Sequence, residues 1–441
     1  TPGDQMTRRS LPAYLFLALL IVNLGIGYHV YSQEAKRTES DDVFKQIDVM
    51  MEVLQQIRKF YVDGDNVSTK KLIEGAMRGM TSTLDPYSEY LGNQDFENLQ
   101  EETEGEFGGI GIQVDYDKDH IIVIAPIDNT PAFNAGIQPG DQIYQVDGED
   151  VAKLGVENTI RKMRGKPGTK VVITYMREGF DEPQSLELTR ALIPIESVTK
   201  AKIIPDTKIA YVRITQFMEK TPNELEEHLT ELLDKQKAKG LIIDLRNNPG
   251  GLVKSVVECC GYFLPPKSFV VSVEGRLESY EETTKGKKYQ APKVPIAILV
   301  NEGTASAAEI MSGCLREHGR AKLFGIKTFG KGSVQSVIDM RNGGALKLTI
   351  AHYFVQPKDV PNRKTIHKNG IEPDQVITLT PDEIHDFEVF DQEWTKAREN
   401  KDLTDAQRIK LDEEFRIKRE KLDKTLNSAI KELTEKTKED N

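Results

Sequence analysis

Cysteine is scarce in this chain. Only three occur in 441 residues, Cys259, Cys260 and Cys314. That number and spacing exclude a disulfide framework and a spaced metal-ligand set. Cys259 and Cys260 are neighbours, and a bond between adjacent cysteines is strained. All three read as small buried apolar residues. Histidine is sparse as well: seven are scattered, with no His-x-x-x-His pair. Neither a metal nor another cofactor is implied. Positive charge is in deficit. The net charge of −11 argues against a general nucleic-acid binder. Apolar content is ordinary, and the length suggests about two to four domains.

One long apolar run breaks the polar background. Leu11 to Val30 follows Arg8 and Arg9. At 1.5 Å per residue it spans roughly 30 Å, enough to cross a bilayer core. A cleaved signal peptide would have a shorter core and an A-x-A-like site. The best small-x-small candidate, Gly25-Ile26-Gly27, lies inside the run. Residues 11–31 are therefore expected to be an uncleaved single-pass anchor. Residues 1–10 would lie in the cytoplasm and the remainder across the inner membrane, in the periplasm or outside the cell.

Residues 40–103 have helical spacing, with Val43, Ile47, Met50, Met51, Leu54, Ile57 and Phe60 along one stripe. Ser68 suits the cap of a second helix. This is expected to be a small helical packing domain, and its apolar stripe makes a homo-oligomer possible. Residues 380–441 are charged and poor in glycine, and read as a solvated helical tail.

Between Glu104 and Ala191 the periodicity changes to alternating, glycine-rich strands. Phe107 to Val114 and Ile121 to Ile127 are strands. Thr130-Pro131 starts a helix, Pro139-Gly140-Asp141 is a turn, and Asp147-Gly148 is a hairpin signal. Gly155 to Arg164 is a helix and Lys170 to Arg177 a strand. This ordered set resembles a PDZ domain over residues 104–191. PDZ domains capture a polypeptide C-terminus by adding it to a sheet edge, with the carboxylate on a glycine-rich loop. The resemblance points to Gly109, Ile110, Gly111 and Ile112 as peptide-binding residues. Arg177 is either a contact with the next domain or an ordinary exposed strand-end residue.

Residues 193–379 alternate strands and helices, which predicts an α/β core. Lys208 to Phe217 is a strand. A helix over 221–237 has Thr221 at its cap and Pro222 at its first position. Gly240 to Leu252 reads as a buried strand running into a glycine-rich loop. Val294 to Ile338 carries the chemistry. The apolar run Ile296 to Val300 has strand character, and Ala307, Ile310, Met311, Cys314 and Leu315 have helical spacing. Ser306 thus stands at a strand-to-helix junction, where backbone N–H groups are unpaired and the helix dipole is positive. A hydroxyl there can attack a carbonyl while amides hold the oxyanion. Lys331 lies between Gly330 and Gly332. The flanking glycines permit the burial that a neutral lysine base requires. In an extended segment Gln335 would share the face of Lys331 and orient it.

Two rival chemistries meet obstacles. Gly325 to Lys331 matches G-x-x-x-x-G-K, but Gly332 occupies the metal-binding Ser/Thr position and strand character follows. In a Ser–His–Asp reading, His318 would lie about 18 Å along the same helix from Ser306, and G-x-S-x-G is absent. His352 stays open on spacing alone.

Thr304 to Ile310 (TASAAEI), Thr328 to Gln335 (TFGKGSVQ), Asp244 to Gly251 (DLRNNPGG), Leu84 to Leu91 (LDPYSEYL) and Gly370 to Asp374 (GIEPD) together resemble the C-terminal processing peptidases, the tail-specific serine proteases. The resemblance covers roughly residues 42–379. Ala308 departs from it, standing where that family usually has a second serine. The resemblance implies Ser306 as nucleophile, Lys331 as general base and Gln335 as its orienting partner. It implies an oxyanion hole from the amides of Ala307 and of Gly250 or Gly251. The expected architecture is a multidomain α/β protein. It would comprise a membrane helix, a small helical domain, a PDZ domain, an α/β serine-protease core and a charged helical tail. The expected function is a serine endopeptidase that takes protein substrates by their C-termini. The alternative is an inactive PDZ scaffold on the same fold.

Overall fold

The computed structural model describes residues 43–439 except 65–66, 118–119, 128, 178, 287–288, 362, 364 and most of 381–404. The expected membrane anchor, residues 11–31, lies outside the described residues. Among the described residues no helix is long and apolar enough to cross a membrane. The chain forms two compact bodies, divided between Leu84 and Asp85.

The first body contains helix α1 over residues 43–60 and α2, Thr69–Ser82. Ser68 caps α2 as expected, its side chain accepting from Lys71 N at 3.2 Å. The stripe on α1 exposes Val43, Phe44, Ile47, Met50 and Met51.

Residues 85–104, grouped with those helices on sequence, belong to the second body. They form β1 (Glu89–Leu91) and α3 (Asn93–Glu104). The PDZ-like segment follows: β2 (Glu106–Gly109), β3 (Ile112–Asp117), β4 (His120–Pro126), β5 (Gln142–Val146), α4 (Val156–Met163), β6 (Lys170–Met176), β7 (Gln184–Thr189) and β8 (Ala191–Pro194). Its main sheet runs β3-β4-β5-β6-β7, all antiparallel, and β2 pairs with β8. Asp147 (φ 50°) and Gly148 (φ 77°) are both left-handed, as the two-residue hairpin signal requires. Ile121, Ile143, Val146 and Ile173 fill a core of this segment's own. Arg177 is not an exposed strand end, and among the described residues its hydrogen-bond partners lie within this same segment. It grips the fully buried Asp141 through Nε at 2.6 Å and a terminal nitrogen at 2.7 Å, because that carboxylate would otherwise be buried unpaired.

The largest layer is a sheet of β9 (Val198–Ile203), β10 (Ile209–Ile214), β11 (Gly240–Asp244), β14 (Ile296–Val300), β15 (Ala321–Gly325) and β18 (Gln375–Val376), in that spatial order. From β10 to β18 every pairing is parallel. Parallel strands need both faces covered. Alternate residues divide the work. Val212, Ile243 and Ile298 face α5 (Thr221–Leu229), α6 (Val253–Cys260) and α7 (Ala307–Glu317), where all three cysteines are buried. Helix α5 has Lys220 in the cap position rather than Thr221, whose hydroxyl instead accepts from Met218 N and donates to Ser197. A second, antiparallel sheet holds β12 (Phe269–Gly275), β13 (Ser279–Thr283), β16 (Ser333–Asp339) and β17 (Ala345–Phe354), with β1 added to β17.

The charged tail is not all solvated. Helix α8 (Asp405–Leu422) is followed by α9 (Lys424–Glu439). Leu426, Ala429 and Leu433 of α9 lie on Tyr211, Ile242, Ala297, Leu299 and Phe324. Its sparse apolar positions are the cover for the sheet's second face. Leu433 is 2% exposed. Leu433→Ala should cost about 2–5 kcal/mol of stability, read as a lower urea midpoint; an unchanged midpoint would show that the face needs no cover.

Candidate active site

Strands β11 and β14 are parallel neighbours, and each runs at its C-terminal end into a polar loop. That end of an α/β sheet is where such folds gather ligands. The two loops are braced to each other. Asn247 N donates to Asn301 Oδ1 at 2.8 Å, and Asn301 Nδ2 returns a bond to Asn247 Oδ1 at 2.8 Å. Thr304 Oγ1 donates to Leu245 O at 2.8 Å, and Ala305 N to Asn248 O at 2.9 Å.

Ser306 closes the second loop with φ 57° and ψ −121°, outside the relaxed regions for a residue with a Cβ. Its strained turn places the half-buried side chain at the start of α7. Gly250 presses against it. A Cβ at position 250 would stand 2.5 Å from Ser306 Cβ and 2.9 Å from Ala307 N, so only glycine fits. The two glycine amides differ. Gly250 N donates to Asn248 Oδ1 at 2.8 Å. Gly250 O accepts from Phe217 N at 2.8 Å, which turns the next amide, that of Gly251, to the opposite side. Ala307 N, at the first helical position, has no intrahelical acceptor.

The lysine segment arrives from another direction and is tied to the serine through Glu309. This glutamate is fully buried on α7. Its Oε2 accepts from Ser306 N and from Lys331 N, both at 2.9 Å. Two donors on one oxygen stand no more than about 6 Å apart, twice the hydrogen-bond length. Glu309 Oε1 accepts from Gly330 N at 2.8 Å and Thr328 Oγ1 at 2.5 Å. Burial pushes the Glu309 pKa up, against the pull of those donors. Four donors and no acceptor surround the carboxyl, so the ionised form is the one the site fits.

The glycines beside Lys331 are dictated by backbone contact. A Cβ at Gly332 would meet His367 N at 2.5 Å, and one at Gly330 would meet Gly370 N at 2.8 Å. Lys368 N also donates to Gly330 O at 2.8 Å. The turn before GIEPD therefore clamps the lysine segment on both sides. Lys331 Nζ lies over the Tyr87 ring, 4.8 Å from its centroid. Burial holds the Lys331 pKa below the ordinary lysine value; the Lys347 charge acts in the same sense and Glu89 against it. Tyr87 is fixed by the LDPYSEYL turn: Asp85 Oδ1 accepts from Tyr87 N at 2.8 Å and Ser88 N at 2.9 Å. Tyr353, buried on β17, donates its phenol to Lys331 O, and burial raises its pKa so that it stays a neutral O–H.

The expected residues do not all meet. Ser306, Ala307, Gly250, Gly251 and Lys331 converge. Lys331 Nζ makes no hydrogen bond to Ser306 Oγ in this structure. Gln335 does not bond the lysine; its Nε2 donates to Ser333 Oγ at 2.9 Å and Thr349 Oγ1 at 3.3 Å. Lys331 precedes β16, which begins at Ser333, and the pairing with β17 skips Ile350 between Val334 and Gln335, which seats Gln335 opposite Thr349. His352 packs against His367 with the rings tilted by 56° and their centroids 4.8 Å apart, and its Nδ1 meets Gly332 O at 3.3 Å rather than Ser306. The phosphate-loop reading falls, because a strand and not a helix follows Lys331. Asp244 is tied to Arg246 and Tyr211.

Glu309, Tyr87 and Tyr353 were missed on sequence. Ser306-x-x-Glu309 is a capping-box pattern that could have marked the glutamate. Tyr87 lies in a quoted motif without a role, and Tyr353 has no local signal.

In the PDZ-like segment, Ile110 O accepts from Ala132 N at 2.9 Å and Gly111 O from Ile127 N at 2.9 Å. Each trans peptide then aims the next N–H, of Gly111 and of Ile112, away from the domain. Gly111 has φ 77°, and a Cβ there would stand 2.3 Å from Thr130 Cβ. Gly109 pairs with Ala191. Among the described residues β3 pairs with β4 alone, so its other edge is open.

Glu309→Gln would turn an amide N–H₂ toward N–H donors. It should cost about 1–3 kcal/mol of stability and depress turnover by loosening Ser306 and Lys331 together. Urea unfolding with steady-state kinetics checks this, and full activity in the variant would remove Glu309 from the site's support.

The model for peptidase family S41 matches residues 208–377, that for the PDZ domain residues 108–188, and that for the activating protease CtpB N-terminal domain residues 25–95. The carboxy-terminal-processing protease of Bartonella bacilliformis is 35% identical over 360 residues, covering 81% of this chain and 80% of that protein. The carboxy-terminal processing protease CtpA of Bacillus subtilis is 36% identical over 338 residues, 76% of this chain and 70% of its own. A solved photosystem II D1 C-terminal processing protease is 28% identical with a TM-score of 0.41, covering 74% of this chain and 92% of its own. With a PDZ domain and a peptidase core on one chain, and with these relatives, this protein belongs to the carboxy-terminal processing serine proteases of peptidase family S41.

Proposed function

We propose that the chain is a serine endopeptidase that binds protein substrates by their C-termini and cleaves them through Ser306 and Lys331. The observation that carries the reading is the shared Glu309 oxygen, which fixes the backbones of a strained serine and a half-buried lysine to one point. Lys331, turned from the Tyr87 face toward Ser306, takes the Oγ proton as that oxygen attacks the scissile carbonyl. The oxyanion is held by Ala307 N–H and by the glycine loop, where Gly251 N–H is the amide not engaged by Asn248. Collapse expels the amine, which leaves with the lysine's proton. Water, deprotonated by Lys331, then releases the acyl group. Gln335 supports this site through Ser333 rather than by touching the lysine.

Substrate delivery follows from the PDZ domain. Gly111 N–H and Ile112 N–H suit a terminal carboxylate, and the open β3 edge suits the peptide strand behind it. The apolar run over residues 11–31 would anchor the enzyme in the inner membrane with its catalytic part in the periplasm or outside the cell. The exposed stripe on α1 suits self-association.

Ser306→Ala and Lys331→Ala should each lower cleavage of a tailed substrate roughly 10⁴-fold or more with the fold retained. Equal activity in Lys331→Ala would refute its role as base, and full cellular function in Ser306→Ala would favour a scaffold. Below its pKa Lys331 is protonated and inert, so kcat/KM should rise with pH through a lysine pKa lying under the ordinary 10.5. A flat profile across neutral and alkaline pH would contradict that assignment. Amidating the substrate's C-terminus should weaken cleavage through KM; an unchanged rate would remove the PDZ domain from delivery.

A further inference from the structure

The Lys331 amine sits on an aromatic face rather than on an acid. Its Nζ lies 4.8 Å from the centroid of the Tyr87 ring. Among the described residues it forms no ion pair, because each carboxylate nearby is already committed. Asp85 accepts from Tyr87 N, Ser88 N and Ser88 Oγ. Glu89 pairs with Lys347 at 2.8 Å. Both Glu309 oxygens are taken by hydrogen-bond donors. The ring is therefore the partner that meets the charge.

Ring and lysine backbone are two fixed points of one frame. Thr349 Oγ1 donates to Asp85 Oδ1 at 3.1 Å and Thr349 N to Ser88 Oγ at 3.0 Å, which bolts the Tyr87 turn to β17. The same strand carries Tyr353, which holds Lys331 O. Only the lysine side chain is left to swing. An aromatic face distinguishes the two forms of that side chain: it attracts an ammonium, whereas a neutral amine offers it no net charge.

We infer that Tyr87 is a positioning residue for the base: its ring parks the Lys331 ammonium away from Ser306 and releases the neutral amine, so that losing the proton and reaching the serine are coupled. This rests on the proposed role of Lys331. In the transition state the new ammonium forms at Ser306, off the ring. Tyr87 thus stabilises the resting protonated enzyme and leaves the transition state untouched. Removing the aromatic face should keep the alkaline plateau of kcat/KM and lift its acid limb.

Other charges bear on the same amine. Burial and the Lys347 charge favour its neutral form, and Glu89 opposes them. The ring face acts in the sense of Glu89. Glu309 and Tyr353 hold the Lys331 backbone, while His352 and His367 lie against Gly332. Burial keeps the His367 pKa below the usual histidine value.

The test compares the full wild-type chain with Tyr87→Leu and Tyr87→Met, which keep an apolar wall, and with Tyr87→Phe, which keeps the aromatic face. Measurements run upward from about pH 7.5, clear of the ordinary histidine range. On the acid limb the two non-aromatic variants should cleave about threefold to tenfold faster than wild type, with the same plateau. Tyr87→Phe should restore the wild-type profile. The proton itself is followed by NMR of Ser306→Ala protein labelled with carbon-13 lysine, the Lys331 signal being assigned by its loss in Lys331→Arg. Its titration midpoint should move to lower pH in both non-aromatic variants. An unmoved midpoint in both would overturn the parking role, and so would a Tyr87→Phe midpoint that matches theirs. A midpoint that moves while the cleavage profile does not follow, or while the wild type cleaves at no pH, would keep the parking role and refute Lys331 as the base.

Discussion

One buried carboxylate organises the reactive end of this protein. Glu309 takes four donors, from Ser306, Thr328, Gly330 and Lys331. Inside a low-dielectric core an ionised group without partners would be prohibitive, and four donors make it tolerable. The same donors belong to the two segments that must meet. Desolvation and assembly are therefore one event: the carboxylate can be buried only when the serine turn and the lysine segment are both in place. Thr328 extends the network, because its hydroxyl also accepts from Ile371 N at 2.7 Å and so ties in the GIEPD turn.

Backbone proximity does the rest. Gly250 lies against Ser306, while Gly330 and Gly332 lie against the clamp over 366–370. None of these contacts leaves room for a Cβ, and Gly250 and Gly330 also sit at positive φ, 108° and 88°, so neighbours and backbone conformation both require glycine. The lysine emerges from this clamp into a pocket walled by Tyr87, whose position is set by the Asp85 turn. Two sheets are thus needed to bring the proposed pair together. The parallel sheet supplies the serine and the glycine loop, and the antiparallel sheet supplies the lysine and its aromatic wall.

Local patterns carried much of this in the sequence. Helical spacing after Ala305 and the apolar runs of β11 and β14 located the serine junction. Asp147-Gly148 located a hairpin whose dihedrals match. What stayed hidden depends on distant partners. The Val334–Gln335 irregularity arises in pairing with β17, and alternation counted along one strand cannot reveal it. Arg177 could not be assigned while its partner Asp141 lay many residues away. The tail read as solvated because three buried positions, Leu426, Ala429 and Leu433, are few among charges. Their role appears only when the bare face of the sheet is seen beside them.

That last helix has a bearing on how the protein is made. The strands it covers include β10 at residues 209–214, while the covering residues begin at Leu426. A ribosome delivers the chain in order, so the sheet emerges with one face dressed by its own helices and the other still wet. Long-range closure of this kind slows folding and leaves sticky surface exposed meanwhile. Arg246 adds an electrostatic latch, holding Asp244 at the sheet end and Asp423 just before the last helix. The loop that carries Gly250 and Gly251 begins at that same arginine. The loop beside Ser306 is thereby coupled to the arrival of a segment 177 residues downstream of Arg246, and a chain cut before that segment would carry Ser306 without the loop support the intact fold provides.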